Sequence, residues 1–279
     1  MLDKQSTFDI TIDPTRVQTE YLKDLLRYRE LFYFLAWRDV IVRYKQAFFG
    51  IAWAVIRPLL SMILFTMLFN RIAHLQSTNG VNYFLFVLAG MLPWQLYSNA
   101  IGETSNVLLN NAHLISKTYF PRMILPAAQI VVHFLDFLIG LVFLMILMIV
   151  MATLTGWTIL ALPLVIAHLV LLCLGTSLWL SAVTVQFRDV RFIVPFVIQF
   201  GAFLSPVGYS SDVISEKWQW IYGLNPLVGI IDAFRWTFFG VETPYLIYSM
   251  GVSLLITAVL LVSGFYYFRK TERLFADRI

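Results

Sequence analysis

The chain has 279 residues, of which 59% are hydrophobic and only 13% charged, about half the charged share of an ordinary soluble domain, near 25%. Its charges are separated by apolar runs as long as the roughly 20 residues a helix needs to cross a bilayer, which excludes disorder, a collagen-like repeat, a disulfide mini-protein and a soluble nucleic-acid binder. The excess of 20 basic over 16 acidic residues therefore asks for a membrane explanation before a polyanionic partner, and the single cysteine, Cys173, excludes only an internal disulfide.

The first 30 residues mix acids and bases from Asp3 to Arg29 with no apolar stretch, so no cleavable signal peptide is expected. From Leu31 to Lys45 the text LFYFLAWRDVIVRYK places Tyr33, Trp37, Val40, Ile41 and Tyr44 on one helical face, with Arg38, Asp39, Arg43 and Lys45 off it. An aromatic face flanked by cations describes a helix lying in the headgroup layer. Anchoring the first span and docking a cytosolic partner are both open uses for it. Residues 1–48 form a cytoplasmic arm on this reading, and residues 49–279 a membrane domain.

Six long apolar windows follow, at about Phe49 to Ile72, Tyr83 to Leu108, Met123 to Leu154, Ile159 to Val185, Phe192 to Gly208 and Tyr245 to Phe268. They are continuously apolar and do not alternate, so in hydrocarbon they read as helices. The expected fold is all-α, with six spans. A kink is expected at Pro93, the third window is long enough to tilt or project beyond the lipid, and the fifth is short and bracketed by Pro195 and Pro206. Arg57, directly before Pro58, is a cation early in the first span, placed to snorkel or to meet a phosphate in an aqueous path.

Between the second and third windows lies NNAHLISKTYFPR, too short to fold alone, carrying Lys117, Tyr119, Phe120 and Arg122. These residues suit interfacial anchors and equally a plug for a groove on another protein. After the fifth window, Pro226 as a first helical residue, Gly240 as a stop and an i,i+3 pair of Asp232 with Arg235 predict a helix over Pro226 to Phe239. With a second brief helix around Trp218 and Trp220, it is expected to dip back as a re-entrant hairpin covered by protein or water.

Sixteen Lys and Arg fall on the side of the amino-terminal arm, the 117–122 connector, Arg188, Arg191 and the tail, against Arg71, Lys217 and Arg235 on the other. That asymmetry places both termini in the cytoplasm.

Chemistry motifs are sparse. There is no G-x-x-x-x-G-K-[ST] phosphate loop, no H-x-x-x-H or Cys/His metal spacing and no G-x-S-x-G elbow, so no ATPase, metal or acyl-transfer centre is expected. His133 and Asp136, at i,i+3 in the third window, suit an interhelical hydrogen bond better than a proton relay, since no chain of carboxylates continues from them. Glu103 invites the same reading.

Four stretches carry a family resemblance: AWRDVIVRYKQAFFGIAWAVIRPLL; FVLAGMLPWQLYSNAIGETSNVLLNNAHLISKTYFPRMILPAAQIVVHFLDFLIG; QFRDVRFIVPFVIQFGAFLSPVGYS; and EKWQWIYGLNPLVGIIDAFRW. In this order they resemble the membrane subunit of ABC-2 type exporters, in the bacterial branch that exports O-antigen, capsule and teichoic-acid chains. The resemblance implies a six-span, multi-pass half-transporter of the bacterial inner membrane that pairs as a homodimer and binds two copies of a separate cytosolic ATPase. ATP and Mg2+ would be held there and no cofactor in this chain. It implies a coupling segment at Ser116, Lys117, Thr118, Tyr119, Phe120 and Arg122, and an interface helix bearing Tyr33, Trp37, Arg38 and Tyr44. Outer gate helices would carry Trp218, Trp220, Tyr222 and Trp236, and the first and fifth spans would line a path for a polyprenyl-diphosphate-linked glycan past Trp53, Arg57, Phe196, Phe200 and Phe203. Arg57 stands where an uncharged polar residue is expected of the family. Two other readings remain at this stage: export of a drug or lipid, and a proton-coupled carrier using His133 and Asp136.

Overall fold

The computed structural model describes residues 24–45, 52–72, 80–153 and 156–275; most of the arm, the start of the first window and residues 73–79 with His74 lie outside them. Among the described residues all regular structure is helical. We number the helices α1 (Arg29–Lys45), α2 (Ala52–Phe65, continued by a π-helical stretch Thr66–Ile72), α3 (Tyr83–Thr104), α4 (Val107–Asn110), α5 (Ala112–Lys117), α6 (Ile124–Val150), α7 (Leu162–Gln186), α8 (Val190–Leu204), α9 (Glu216–Tyr222), α10 (Pro226–Phe239) and α11 (Leu246–Glu272).

Five segments are long and apolar enough to cross a membrane: 52–70, α3, α6, 157–186 and α11. The fifth predicted window behaves differently. Its helix α8 has 15 residues, about 22 Å at 1.5 Å per residue, short of the roughly 30 Å hydrocarbon layer. It gives way at Ser205 to extended backbone before Pro206, the residue preceding a proline being driven out of the helical region. Pro93 sits inside α3, which stays helical from end to end.

Local chemistry accounts for the helix ends. The Asn82 side chain accepts from the Phe84 N–H at 3.0 Å and starts α3; Asn225 does the same for α10 through Leu227 N–H at 3.1 Å, with Pro226 in the first turn. Gly240 closes α10 at φ +65°, a left-handed position that favours glycine. The predicted limits of this helix are thus the observed ones.

Helix α3 is the central element, its residues almost wholly buried from Leu85 to Trp94. It packs on α6, α7, α10 and α2, while α11 runs along α7 and α10. One apolar core joins α3, α6, α7 and α10; a second joins Leu35 and Ala36 of α1 to Phe120, the start of α6, Ala182 and Phe268. Helix α8 attaches loosely, through α3 and α7, and makes its closest approach where Gly201 lies under Trp94: a Cβ there would come within 2.5 Å of the indole ring.

Candidate functional site

Polar residues in an apolar bundle need partners, and at the α1 end they find one another. Gln95, Asn99 and Glu103 recur every fourth residue on one face of α3; Gln129, His133 and Asp136 share one face of α6. Arg43 of α1 reaches between them. Its guanidinium lies 2.8 Å from Asp136 Oδ2 and 3.3 Å from Glu103 Oε1, and Nη1 is 3.4 Å from His133 Nδ1. Arginine only donates, so Nδ1 is the acceptor and the neutral ring carries its proton on Nε2, which faces Glu103 Oε2 at 3.1 Å. Gln129 donates to the same oxygen at 2.6 Å, and the Tyr44 hydroxyl donates to Asp136. Burial, then the bond to Asp136 and its charge, pushes the Tyr44 phenol well above the ordinary tyrosine value.

This cluster supports the plainer reading of His133, Asp136 and Glu103, hydrogen bonding between helices. What the α1 periodicity missed is that Tyr44 and Arg43 turn into the bundle to complete it. Tyr33, Phe34, Trp37, Ile41 and Val42 are the exposed large apolar residues of the helix, with Tyr33 and Trp37 stacked 6.4 Å apart, so the outer face is turned from the predicted one, gaining Phe34 and Val42 and losing Val40 and Tyr44. Arg38 turns to its neighbour Asp39 at 2.7 Å.

Beside the cluster opens a cavity of about 230 Å³. It is lined by Arg43 and Tyr44 of α1, Trp53 and Arg57 of α2, Gln95 and Asn99 of α3, and Asp136 and Phe137 of α6. The Arg57 guanidinium lies 5.9 Å from the Trp53 ring centre. Trp53 and Arg57, predicted as path residues, are therefore together, whereas Phe196, Phe200 and Phe203 stand apart on α8.

Those three, with Phe192, are each at least half exposed, and on α8 only Val194 is buried. Leu60, Leu64, Met67 and Leu68 on the first spanning segment are exposed as well, and Phe65 stacks on Phe203 at 6.1 Å. The two helices thus present a joint apolar surface that none of the described residues covers.

The connector divides into two parts. Ser116, Lys117, Thr118 and Tyr119 are exposed, whereas Phe120 is buried at 4% in the second core. The Arg122 N–H donates to Glu272 Oε1 at 2.9 Å, its guanidinium donates to the Glu272 carbonyl, and it lies 5.9 Å from the Phe275 ring centre. Phe120 and Arg122 hold the segment to the end of α11, and the preceding four residues form its outward surface.

The opposite end of α3, about 30 Å from Glu103 by helical rise, meets the 205–239 segment. Here the expected Asp232–Arg235 ion pair is corrected. Arg235 is buried at 2% and donates to the carbonyls of Val207 at 2.8 Å, Tyr209 at 3.0 Å and Phe86 at 3.3 Å, with its guanidinium 3.6 Å from the Phe86 ring centre. Asp232 accepts from Ser211 at 2.5 Å. A turn whose carbonyls have left their helix needs donors more than Asp232 needs a cation. Tyr222 donates to Tyr209 at 3.0 Å, Trp236 meets Trp157 edge-on, Trp220 lies against Tyr248, and Trp218 is exposed.

Comparison with known proteins agrees with this architecture. The chain is 29% identical over 254 residues to an O-antigen export system permease protein RfbA of Klebsiella pneumoniae, covering 89% of this chain and 94% of the relative. It is 25% identical over 260 residues to the protein of the same name in Myxococcus xanthus, covering 92% and 98%, and 24% identical over 210 residues to the inner membrane transport permease YadH of Escherichia coli K12, covering 70% and 79%. The model of the ABC-2 type transporter family matches residues 30–239, from the start of α1 to the end of α10. The chain is a multi-pass membrane protein and belongs to the ABC-2 type transporter family.

Proposed function

We propose that this chain is the membrane subunit of an ATP-driven exporter that moves a polyprenyl-diphosphate-linked polysaccharide, O-antigen first among the candidates, out of the cytoplasm across the inner membrane. Likeness to O-antigen export permeases along almost the whole of both chains supports the substrate class. The observation that carries the mechanism is the uncovered apolar surface of α2 and α8. Two copies facing each other there enclose a path edged by Trp53, Phe196, Phe200 and Phe203, whose rings offer sugars sliding contact without tight holding. On this reading α8 with its flanking turns is the sixth span, residues 1–48 are the cytoplasmic arm, residues 49–279 the membrane domain, and both termini are cytoplasmic. The exposed aromatic face of α1 is then its headgroup-layer face.

The energy comes from two copies of a cytosolic ATPase holding ATP and Mg2+. The exposed run Ser116 to Tyr119 fits a groove on that partner, and Phe120 and Arg122 pass its movement to α6 and α11. Because α10 packs along α11, displacement at the connector reaches the α9–α10 hairpin, where Trp218, Trp220, Tyr222 and Trp236 edge a re-entrant outer gate. The test is surface display of polymer in a strain deleted for this gene. Deletion is expected to abolish surface polysaccharide and leave lipid-linked polymer inside, with restoration by the wild-type gene only when the partner ATPase is active. Unchanged surface polymer in the deletion strain overturns the proposal.

A further inference from the structure

The cavity between α1, α2, α3 and α6 carries donors that no described residue uses. Arg57 projects from the second turn of α2 and is exposed; among the described residues it forms no hydrogen bond and no ion pair, and its guanidinium lies 5.9 Å from the Trp53 ring centre. In the same cavity, the side-chain amides of Gln95 and Asn99, one turn apart on α3, are half-buried and likewise form no hydrogen bond among the described residues. An ionised group and two amides on otherwise apolar helices are costly unless something accepts their hydrogen bonds. The same bundle shows the contrast: Arg43, across the cavity, is held by two carboxylates, and Arg235 by three carbonyls. Arg57, Gln95 and Asn99 therefore give the cavity a positive charge and free donors, and its space of about 230 Å³ holds several times the roughly 30 Å³ of one water.

We propose that Arg57, Gln95 and Asn99 form a binding pocket for a diphosphate group, and that its occupant is the diphosphate joining a polyprenyl lipid to its glycan, captured at the α1 end before the sugar chain enters the path. The occupant rests on the exporter reading above; the anion-binding chemistry does not. Guanidinium binds phosphate oxygens by paired, charge-assisted hydrogen bonds, and the amides supply neutral donors at the side. Trp53 and the outward face of α2 give the isoprenoid tail an apolar route away from the charge. Arg43 is taken up by Asp136 and Glu103, a cluster with no cation to spare for an anion, so the diphosphate is drawn to Arg57.

The test uses the full chain in nanodiscs of zwitterionic lipid, with binding of a short-chain polyprenyl diphosphate followed by native mass spectrometry. Saturable binding is expected, weakened about tenfold or more by Arg57→Gln, as loss of a charge-assisted contact requires, and retained in large part by Arg57→Lys, which keeps the charge. Gln95→Ala and Asn99→Ala should each weaken it by a smaller factor. The unfolding temperature of Arg57→Gln should match that of the wild type, because the side chain has no hydrogen-bond or ion-pair partner among the described residues to lose. Equal affinity in Arg57→Gln, or a lowered unfolding temperature there, overturns the pocket. Three further arms separate the sources of phosphate. Inorganic diphosphate binding as tightly as the lipid, the polyprenyl monophosphate doing so, or abolition of binding when the nanodisc contains phosphatidylglycerol would each overturn the assigned occupant. Failure of the pocket and of the exporter reading are distinguishable: surface polymer that depends on the wild-type gene without Arg57-dependent binding removes the pocket alone, and Arg57-dependent binding in a protein whose deletion leaves surface polymer unchanged removes the exporter reading alone.

Discussion

Cutting the Arg43–Asp136 contact tests whether α1 is part of the bundle or an appendage to it. The two charges are 2.8 Å apart, with side-chain exposures of 23% and 19%, and Asp136 also accepts from Tyr44. Exposed pairs are worth about 0.2 to 1 kcal/mol, and removing one partner of a fully buried pair costs about 3 to 5. With a fifth of each side chain still reaching solvent, Arg43→Ala and Asp136→Ala should each cost about 2 kcal/mol, near the geometric middle of that range. Each strands much the same opposite charge, so the double variant should lose only about 2 to 3 kcal/mol, leaving a coupling of about 1 to 2. Thermal unfolding of the purified chain in one detergent measures this. At about 2 to 4 °C per kcal/mol for a chain of this size, each single variant should melt roughly 4 to 8 °C lower. Losses that add to within about 0.5 kcal/mol would refute the network as a single unit.

Tyr119→Ala should leave the melting temperature unchanged and uncouple ATP hydrolysis from export, whereas Phe120→Ala should cost about 3 kcal/mol or more, because that ring is buried; the pair is separated by measuring stability and export in parallel. Gly229→Ala places a Cβ 2.5 Å from the Ser249 carbonyl oxygen of α11, and should destabilise by about 1 to 3 kcal/mol as α10 is pushed away, seen as reduced accumulation in membranes. Arg235→Met should leave the carbonyls of Val207, Tyr209 and Phe86 without their donor and make the 205–211 turn the first site of proteolysis. Tyr44→Phe should lower stability by about 1 kcal/mol at neutral pH. Since the folded phenol titrates above its ordinary value near 10, that contribution is fully present below pH 10 and fades as pH rises beyond it, so the melting curves of variant and wild type should converge at strongly alkaline pH.

The α10 limits were legible because end signals are local: Pro226 and Gly240 act on the few residues beside them. Five of the six predicted spanning windows were legible for a related reason, since the lipid reads composition over about 20 residues with no need of tertiary detail. The Asp232–Arg235 pair was misread because i,i+3 spacing reports only that two side chains share a face. It says nothing of the three carbonyls, one on α3 and two on the 205–210 turn, that the fold brings to Arg235. The face of α1 was overdrawn for the same reason: Tyr44 fits the aromatic stripe by periodicity, yet Asp136 lies within its reach. A sharper signal was present in the recurrence of Gln95, Asn99 and Glu103 along one face of α3 and of Gln129, His133 and Asp136 along α6, two polar stripes that have to meet something.

What this sequence determined by itself is the bundle of apolar helices, their approximate limits and the family pattern, all of which rest on short-range sterics and on hydropathy summed along the chain. Only the tertiary structure decided which polar groups neutralise one another and which are left over. It assigned Arg43 to two carboxylates, Arg235 to carbonyls, Phe120 to the core, and left Arg57 facing a cavity. Satisfaction of charge and hydrogen bonds depends on distances of about 3 Å between residues far apart in the chain, and those distances exist only once the helices have packed.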